Sequence, residues 1–149
     1  MVNTLNIRKA TTDDAPVIGR LSGELGYPVE VPVMCERLAR LLERDDHVVF
    51  VAETTEVAGW IHAADHELLE VGRHCEICGL VVGSGQRGKG IGRHLIDAVE
   101  KWAPTRGLKQ ISVRSNVIRP ESHPFYESVG YERYKTQHAY RKRLALPDS

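Results

Sequence analysis

The sequence predicts an α/β fold of the mixed α+β kind, in which helices pack on one central mixed sheet. Two strand-like runs at 47–53 and 57–64 are separated by a short turn, which predicts an antiparallel hairpin. Further on, a strand, a glycine-rich turn, a helix and a second strand fill residues 75–115, and a β-α-β crossover of this kind joins parallel strands. The 149 residues contain no linker or repeat, so we expect a single domain over 1–149.

Capping residues and apolar spacing predict the elements before the hairpin. Residues 5–10 predict a strand, and the Thr and Asp residues at 11–14 supply capping groups for the helix that follows. Apolar residues at a spacing of four predict that helix, which Gly26 can end: Val17, Leu21 and Leu25. A second apolar stripe predicts another helix: Pro32, Met34, Leu38, Leu41 and Leu42.

The second half of the chain continues the alternation of strands and helices. A helix over 91–103 would bury one apolar face. The remaining elements are predicted as strands at 75–82 and 109–115, a helix near 120–129, and strands at 131–134 and 137–144. The predicted order is therefore β-α-α-β-β-β-α-β-α-β-β.

The charge balance and the N-terminus argue against several classes of function. Lys and Arg together number 20, as do Asp and Glu, and the resulting zero net charge argues against a nucleic-acid-binding protein. The first residues lack the basic and apolar regions of a signal peptide, and no run approaches the roughly 20 apolar residues of a membrane span. We therefore expect a cytoplasmic protein with no membrane or nucleic-acid partner.

The three cysteines, Cys35, Cys75 and Cys78, do not form a disulfide framework. Cys75 and Cys78 make a C-x-x-C pair, but a structural zinc site needs two further ligands at suitable spacing. We therefore interpret both as packing residues of a strand and expect no bound metal.

The glycine-dense segment at 83–92, GSGQRGKGIG, fits three phosphate-binding templates. Its G-x-G-x-x-G match would predict a dinucleotide fold, but the strand at 109–115 ends without the acid that holds the ribose. Its G-x-x-x-x-G-K match would predict a nucleoside triphosphate loop, but Gly90 stands where Ser or Thr must hold magnesium. The R-x-x-G-x-G match at 87–92 remains, beside the simpler alternative of a loop that binds nothing.

The R-x-x-G-x-G segment has the chemistry of a diphosphate site. Glycines at alternate positions let successive backbone N–H groups turn toward an anion. The helix that begins near Ile91 adds unpaired N–H groups and the positive end of its dipole. Lys89 or Arg93 can add a cation.

Several motifs together resemble those of the GNAT superfamily of N-acetyltransferases. They are LNIRKATTDD at the start, VAGWI in the hairpin, LVV at the end of the fourth strand, RGKGIGRHLI, and FYESVGY. The resemblance implies the acyl-CoA N-acyltransferase fold, whose fourth and fifth strands splay apart to admit the pantetheine arm. It also implies an enzyme that passes the acetyl group of acetyl-CoA, a co-substrate, directly to an amine without a metal.

The same resemblance implies a set of residues that bind acetyl-CoA. Leu80 and Val82 would pair with the pantetheine amides through their backbone, and residues 86–92 would hold the pyrophosphate. Asn116 matches a coenzyme-contacting Asn imperfectly, and it can instead turn the chain toward Pro120. The full set is Leu80, Val81, Val82, Gln86, Arg87, Gly88, Lys89, Gly90, Ile91, Gly92, Arg93 and Asn116.

Candidates for catalysis and acceptor binding follow from the resemblance as well. Tyr126 resembles the family tyrosine that faces the thioester sulfur, where a phenol can protonate the leaving thiolate, although a core tyrosine also fits. Glu76 is the first candidate for the base, although a solvent-facing strand acid also fits. Lesser candidates for the base are His74, Glu70 and His123, whereas His62 and His66 are interpreted as surface or satisfied histidines. Tyr27 is a candidate contact of the acceptor, with packing inside its loop as the alternative.

No motif specifies the acceptor amine. We expect a small molecule, such as an aminoglycoside-like compound, a polyamine or an amino acid. The alternatives are an amine of a protein or peptide, and a non-catalytic sensor domain that binds acetyl-CoA. A homodimer is compatible with the resemblance.

Overall fold

The computed structural model describes residues 4–86, 88–114 and 122–147. The chain falls into two compact units, Met1–Arg114 and Ser115–Ser149. The first unit holds β1 (Asn6–Lys9), α1 (Ala15–Glu24), α2 (Val31–Leu42), β2 (His47–Glu53), β3 (Val57–Leu68), β4 (Gly72–Val82), α3 (Ile91–Thr105) and β5 (Ile111–Val113). The second unit holds α4 (Ser122–Ser128). None of the helices in the described part of the chain has the length and apolar composition of a membrane span.

The strands of the first unit form one mixed sheet in the order β1-β2-β3-β4-β5. The first three pairings are antiparallel and the pairing of β4 with β5 is parallel, which confirms the predicted mixed sheet. β3 and β4 extend beyond the predicted strands at 57–64 and 75–82, because residues 65–67 break the apolar pattern yet stay in the ladder. Their partners across the hairpin are residues 73–75.

One face of the sheet packs against α3 and is called the α3 face. A Cβ atom on Gly59 would lie 3.3 Å from Ile91 Cγ2 and 3.4 Å from Leu95 Cδ1, which places Gly59 on this face. Alternate residues of a strand share a face, so Ile61 also points toward α3. Ile61 and Leu95 are fully buried, and each such side chain contributes about 1.5–3 kcal/mol.

The opposite face packs in part against α1 and α2 and is called the α1/α2 face. Ile18, Leu21 and Leu38 of the two helices form one buried cluster with three sheet residues. Those sheet residues are Val49, Val51 and Val81. Leu21 and Leu38 of the predicted apolar stripes therefore lie in the core on this side. Pro32 and Leu42 of the second stripe are exposed instead.

The second unit contains α4 and the segment that follows it. The N–H groups of Val129 and Tyr131 donate to the carbonyl of Tyr126 at 3.2 and 3.0 Å, which closes the end of the helix. Strands were predicted at 131–134 and 137–144, but the structure assigns no strand to residues 131–147. A strand requires a neighbour that pairs its N–H and C=O groups, and this segment has no ladder partner among the described residues.

A group of charged side chains ties β1 and β2 to the start of α1. Arg8 donates to both carboxylate oxygens of Asp14 at 2.9 Å, and its Nε lies 3.2 Å from Glu53 Oε1. The N–H of Thr11 also donates to Asp14 at 2.8 Å, as the predicted capping chemistry requires. These bonds, above all those from Arg8, lower the pKa of the buried Asp14 carboxyl.

Replacing Asp14 should therefore destabilise the fold in a pH-dependent way. Because the folded-state pKa is depressed, the carboxylate stabilises the fold above its unfolded pKa, about 3.9, and that contribution is lost as the pH falls through the folded pKa. We expect Asp14→Asn to lower the free energy of unfolding by about 2 kcal/mol at neutral pH. The difference from the unmodified chain should shrink in strong acid.

Urea denaturation at neutral and acidic pH measures this difference. Asp13→Asn is the matched control because Asp13 is the exposed neighbouring acid. Equal losses for the two variants, or a loss that does not change with pH, would contradict the role of Asp14.

Candidate functional site

A β-bulge lies in β4 just where the predicted site begins. Ile77 is opposite Ala63 while Gly79 is opposite His62, so Cys78 is an extra residue in the ladder. Cys75 is buried, as predicted for a packing residue, but Cys78 is exposed. The packing prediction for Cys78 was wrong because the bulge removes this residue from the regular alternation.

The pairing of β4 with β5 ends before β4 does. The last pair is Ile77 with Val113, whereas β4 continues to Val82. From Cys78 to Val82, the side of β4 that faces β5 has no strand partner among the described residues, and this stretch is called the open edge of β4. Unpaired N–H and C=O groups on such an edge can pair with an extended ligand.

The glycine loop, Gly83–Gly90, follows the open edge directly. Gly88 and Gly90 have φ angles of 83° and 78°, in the left-handed region that favours glycine. Gly90 is also the N-cap residue of α3, and no side chain caps that helix end. The first-turn N–H groups of α3 therefore keep their capacity to bind an anion.

The contacts around the glycine loop are consistent with a phosphate site. A Cβ atom on Gly85 or Gly88 would meet no described heavy atom within 4 Å, so the loop is open above its backbone. Lys89 Nζ donates to Gln86 Oε1 at 3.3 Å, and the N–H of Ser84 donates to Glu24 at 3.2 Å. Arg87, which was predicted to bind acetyl-CoA, lies outside the described residues.

Glu76 lies on the α1/α2 face, next to the point where β4 and β5 part. It is opposite Ala64 on β3 and Ser112 on β5, one residue before the last β4–β5 pair. Its side chain is 20% exposed, and Arg114 Nε lies 3.6 Å from its Oε1. Glu76 is therefore an accessible carboxylate at the base of the open edge.

Trp60 lies over Gly79 on the same face of the sheet. A Cβ atom on Gly79 would lie 2.8 Å from Trp60 Cη2 and 2.9 Å from Cζ3, so only glycine fits beneath the ring. Trp60 Nε1 is buried and has no hydrogen-bond partner among the described residues. A buried unpaired donor costs roughly 1–3 kcal/mol, which a bound molecule or water would recover.

His62 is a half-buried histidine with a hydrogen-bond partner. Its Nε2 lies 2.9 Å from Nδ1 of His47, which agrees with the prediction of a satisfied histidine and adds the identity of the partner. Burial lowers the pKa of His62 to about 4. Period-two spacing from Ala64 and Trp60 is the signal that could have placed His62 on the α1/α2 face.

The other predicted site residues are distributed as follows. Tyr27 lies between α1 and α2 with 61% of its surface exposed. Glu70 lies at the tip of the β3–β4 hairpin, roughly 20 Å along the chain from Glu76 at the usual rise of a strand. Asn116 and the side chain of His123 lie outside the described residues.

Tyr126 lies on α4 in the second unit. Its ring makes edge contacts with those of Phe125 and Tyr131, with centroids 5.2 and 6.2 Å apart. Burial raises the pKa of the phenol above its usual value of 10. The hydroxyl therefore keeps its proton at neutral pH and can donate it.

Metal ligands are not grouped in the described part of the chain. No set of three or more His, Cys, Asp and Glu side chains there is arranged to hold an ion.

Comparisons with known proteins show the family and the fold. The family model described as "Acetyltransferase (GNAT) family" matches residues 16–131. The chain is 26% identical over 129 residues to the Bacillus subtilis (strain 168) protein described as "Uncharacterized N-acetyltransferase YhdJ", with 85% of this chain and 88% of that protein covered.

Solved structures share the fold. Aminoglycoside N-acetyltransferase AAC(6')-Iy in complex with CoA matches with a TM-score of 0.86 and 19% identity, over 97% of this chain and 98% of that chain. Glucosamine-6-phosphate N-acetyltransferase from Arabidopsis thaliana matches with a TM-score of 0.78 and 23% identity, over 93% of this chain and 98% of that chain. These matches confirm the predicted fold class.

A methyl group on Gly79 should displace Trp60. We expect Gly79→Ala to lower the free energy of unfolding by about 1–3 kcal/mol, because the ring above has no room for an added carbon. The near-ultraviolet circular dichroism of the indole should change as well. Gly85→Ala is the control, since its added Cβ meets no described heavy atom within 4 Å. Identical stabilities and spectra for the two variants would contradict the close contact.

Proposed function

This chain belongs to the GNAT acetyltransferase family, and we propose that it transfers the acetyl group of acetyl-CoA directly to the amine of a small molecule. One observation carries the proposal: the open edge of β4 leads straight into a glycine loop and an uncapped helix N-terminus. Coenzyme A contains an extended amide chain followed by a diphosphate, and these two parts match the two features in order.

The glycine loop and α3 would bind the pyrophosphate. Backbone N–H groups from Gly88 to Gly92 supply donors, and Lys89 and Arg93 supply positive charge close to the helix end. By family resemblance, Arg87 and Asn116 complete the contacts with the coenzyme. On the open edge, backbone groups of Leu80 and Val82 would pair with the pantetheine amides as an added strand does.

The acceptor amine must lose a proton before it can attack the thioester. A lysine-like amine has a pKa of about 10.4, so its deprotonation at pH 7 costs roughly 4.6 kcal/mol. Glu76 is the proposed base, because its accessible carboxylate lies where β4 and β5 part. It would take the proton directly or through one water.

Attack by the neutral amine forms a tetrahedral oxyanion, and collapse of that intermediate breaks the carbon–sulfur bond. A backbone N–H near Leu80 or Val81 on the open edge would stabilise the oxyanion. Tyr126 is the proposed acid that protonates the departing thiolate. Its raised pKa keeps the phenol protonated at neutral pH. The attacking nitrogen loses its extra proton as the amide forms, and that proton returns to the Tyr126 phenolate, so the phenol is restored.

The acceptor is proposed to be a small amine because several structural neighbours act on such molecules. Their names describe aminoglycoside and glucosamine-6-phosphate acetyltransferases. The exposed ring of Tyr27, in the loop after α1, offers an apolar surface for an acceptor. The proposal is tested by measuring release of the coenzyme A thiol over a panel of aminoglycosides, amino sugars, polyamines and amino acids.

That panel separates an enzyme from a sensor domain. Thiol release with at least one amine, and stoichiometric N-acetylated product, would support the proposal. Binding of acetyl-CoA without thiol release for any small amine or peptide would reject it.

The charge at residue 90 should control the affinity for acetyl-CoA. Gly90→Asp places a carboxylate where the pyrophosphate is proposed to lie, whereas Gly90→Asn has nearly the same shape without the charge. Both residues tolerate the left-handed backbone of Gly90 better than other side chains do. We expect the Asp variant to bind acetyl-CoA at least about tenfold more weakly than the Asn variant, a difference of about 1.4 kcal/mol. Calorimetry measures both affinities, and equal values would contradict the phosphate site.

Removing the hydroxyl of Tyr126 should slow the chemical step and leave cofactor binding intact. We expect Tyr126→Phe to lower kcat by about 10²-fold or more, as for loss of a general acid, with an almost unchanged Kd for acetyl-CoA. Single-turnover kinetics make the chemical step visible. Tyr131→Phe is the control, because its ring centroid lies 6.2 Å from that of Tyr126 and loss of its hydroxyl leaves its backbone bond to Tyr126 in place. Full single-turnover activity of Tyr126→Phe would contradict the assignment of Tyr126 as the acid that protonates the thiolate.

A further inference from the structure

We propose that His62 and His47 form a proton relay that carries the proton taken by Glu76 from the acetyl-transfer site to solvent. The proposal rests on the acetyltransferase reaction described above. That reaction consumes a protonated amine and releases one proton overall, since the amide product is neutral and the thiol keeps one proton. A base such as Glu76 must therefore release the proton that it has taken before the next reaction cycle.

The first observation is the contact between the two imidazoles. Nε2 of His62 lies 2.9 Å from Nδ1 of His47, and the rings are stacked with centroids 5.1 Å apart. At this distance one proton is shared between the two nitrogens. The pair therefore joins the half-buried His62 to the more exposed end of β2.

The second observation is the placement of the pair relative to Glu76. Ala64 is opposite His47 on β2 and opposite Glu76 on β4, so all three residues share the α1/α2 face. His62 precedes Ala64 by two residues and lies on the same face, diagonally across from Glu76. Diagonal neighbours of this kind are about 7–8 Å apart, a gap that the side chains and one water can span. Ala64, which lies between His47 and Glu76 on β3, has a small side chain.

The third observation is the outlet. Asp46 Oδ1 lies 4.0 Å from His47 Nε2, and its side chain is 32% exposed. Arg44 holds the Asp46 carboxylate through two hydrogen bonds of 3.0 Å. A proton that leaves His47 Nε2 thus emerges beside a fixed anion in contact with solvent.

The transfer balances atom by atom. A proton from Glu76 binds Nδ1 of His62, the proton on Nε2 moves to Nδ1 of His47, and His47 gives up the proton on its own Nε2 to solvent beside Asp46. Both imidazole rings are neutral before and after the transfer. They then exchange protons with solvent and return to their original tautomers. The low pKa of His62, about 4 because of burial, prevents the ring from holding the proton.

The charged and titratable groups near the pair come from three strands and the turn before β2. Burial is the main cause that lowers the pKa of His47. Asp46 raises this pKa, whereas Arg44 and His66 lower it. The groups on this face are Arg44, Asp46, His66, His74 and Glu76.

The test combines two variants of the pair with one control. We expect His62→Gln to lower kcat about tenfold at neutral pH in dilute buffer, with unchanged KM for acetyl-CoA, and added imidazole to restore the rate. His47→Gln breaks the pair from its more exposed side and should show the same loss and the same rescue. His66→Gln, an exposed histidine of the same strand outside the pair, should keep the unmodified rate.

Nitrogen-15 spectra of the histidine rings in the unmodified protein give a readout that does not depend on activity. They should show coupling across the bond between His62 Nε2 and His47 Nδ1. Absence of that coupling, full turnover of His62→Gln and His47→Gln in dilute buffer, or a loss that imidazole does not restore, would overturn the relay while the acetyltransferase proposal stands. A protein that acetylates no amine at all would overturn both.

Discussion

The early end of the pairing between β4 and β5 is the constraint on which the rest of the site depends. The two strands share hydrogen bonds only as far as Ile77 and Val113, and β4 then continues alone on that side to Val82 within the described residues. The cost of an unpaired edge in a sheet is tolerable only where water or a ligand pairs with it. The glycine loop and the N-terminus of α3 follow at once, so the open edge and the proposed anion site are adjacent along the chain.

The bulge at Cys78 decides which side chains meet at this surface. Regular alternation would place Glu76 and Gly79 on opposite faces, because they are three residues apart. The extra residue brings both to the α1/α2 face, together with Trp60, and turns Leu80 toward Ile61 on the other face. The bulge therefore places the Glu76 carboxylate, the backbone of Gly79 and the Trp60 ring on the same face of the sheet, next to the point where β4 and β5 part.

The sequence was sufficient for most of the fold. Apolar spacing predicted α1, α2 and α3, and strand patterns predicted β2 with its observed bounds, His47–Glu53. These predictions succeeded because each helix has periodic apolar residues that the core buries, among them Leu21, Leu38 and Leu95. The strands at 131–134 and 137–144 were not found, since local pattern carries no information about whether a ladder partner is present.

Candidate site residues could be predicted from the sequence only where the residue type itself indicates the backbone conformation or matches a family motif. Glycines at positive φ marked the loop before α3, and family motifs marked Tyr126 and Glu76. The exposure of Cys78, the contact between Trp60 and Gly79, and the His47–His62 pair all depend on cross-strand register. The bulge at Cys78 changes that register, and the local sequence pattern of β4 does not indicate that a bulge is present.

Hydrogen–deuterium exchange with and without acetyl-CoA tests the central claim most directly, because it reports on the backbone N–H groups themselves. The account predicts slower exchange at two segments when acetyl-CoA is bound, the open edge from Cys78 to Val82 and the first turn of α3 after Gly90. Binding of acetyl-CoA that protects neither segment would contradict it.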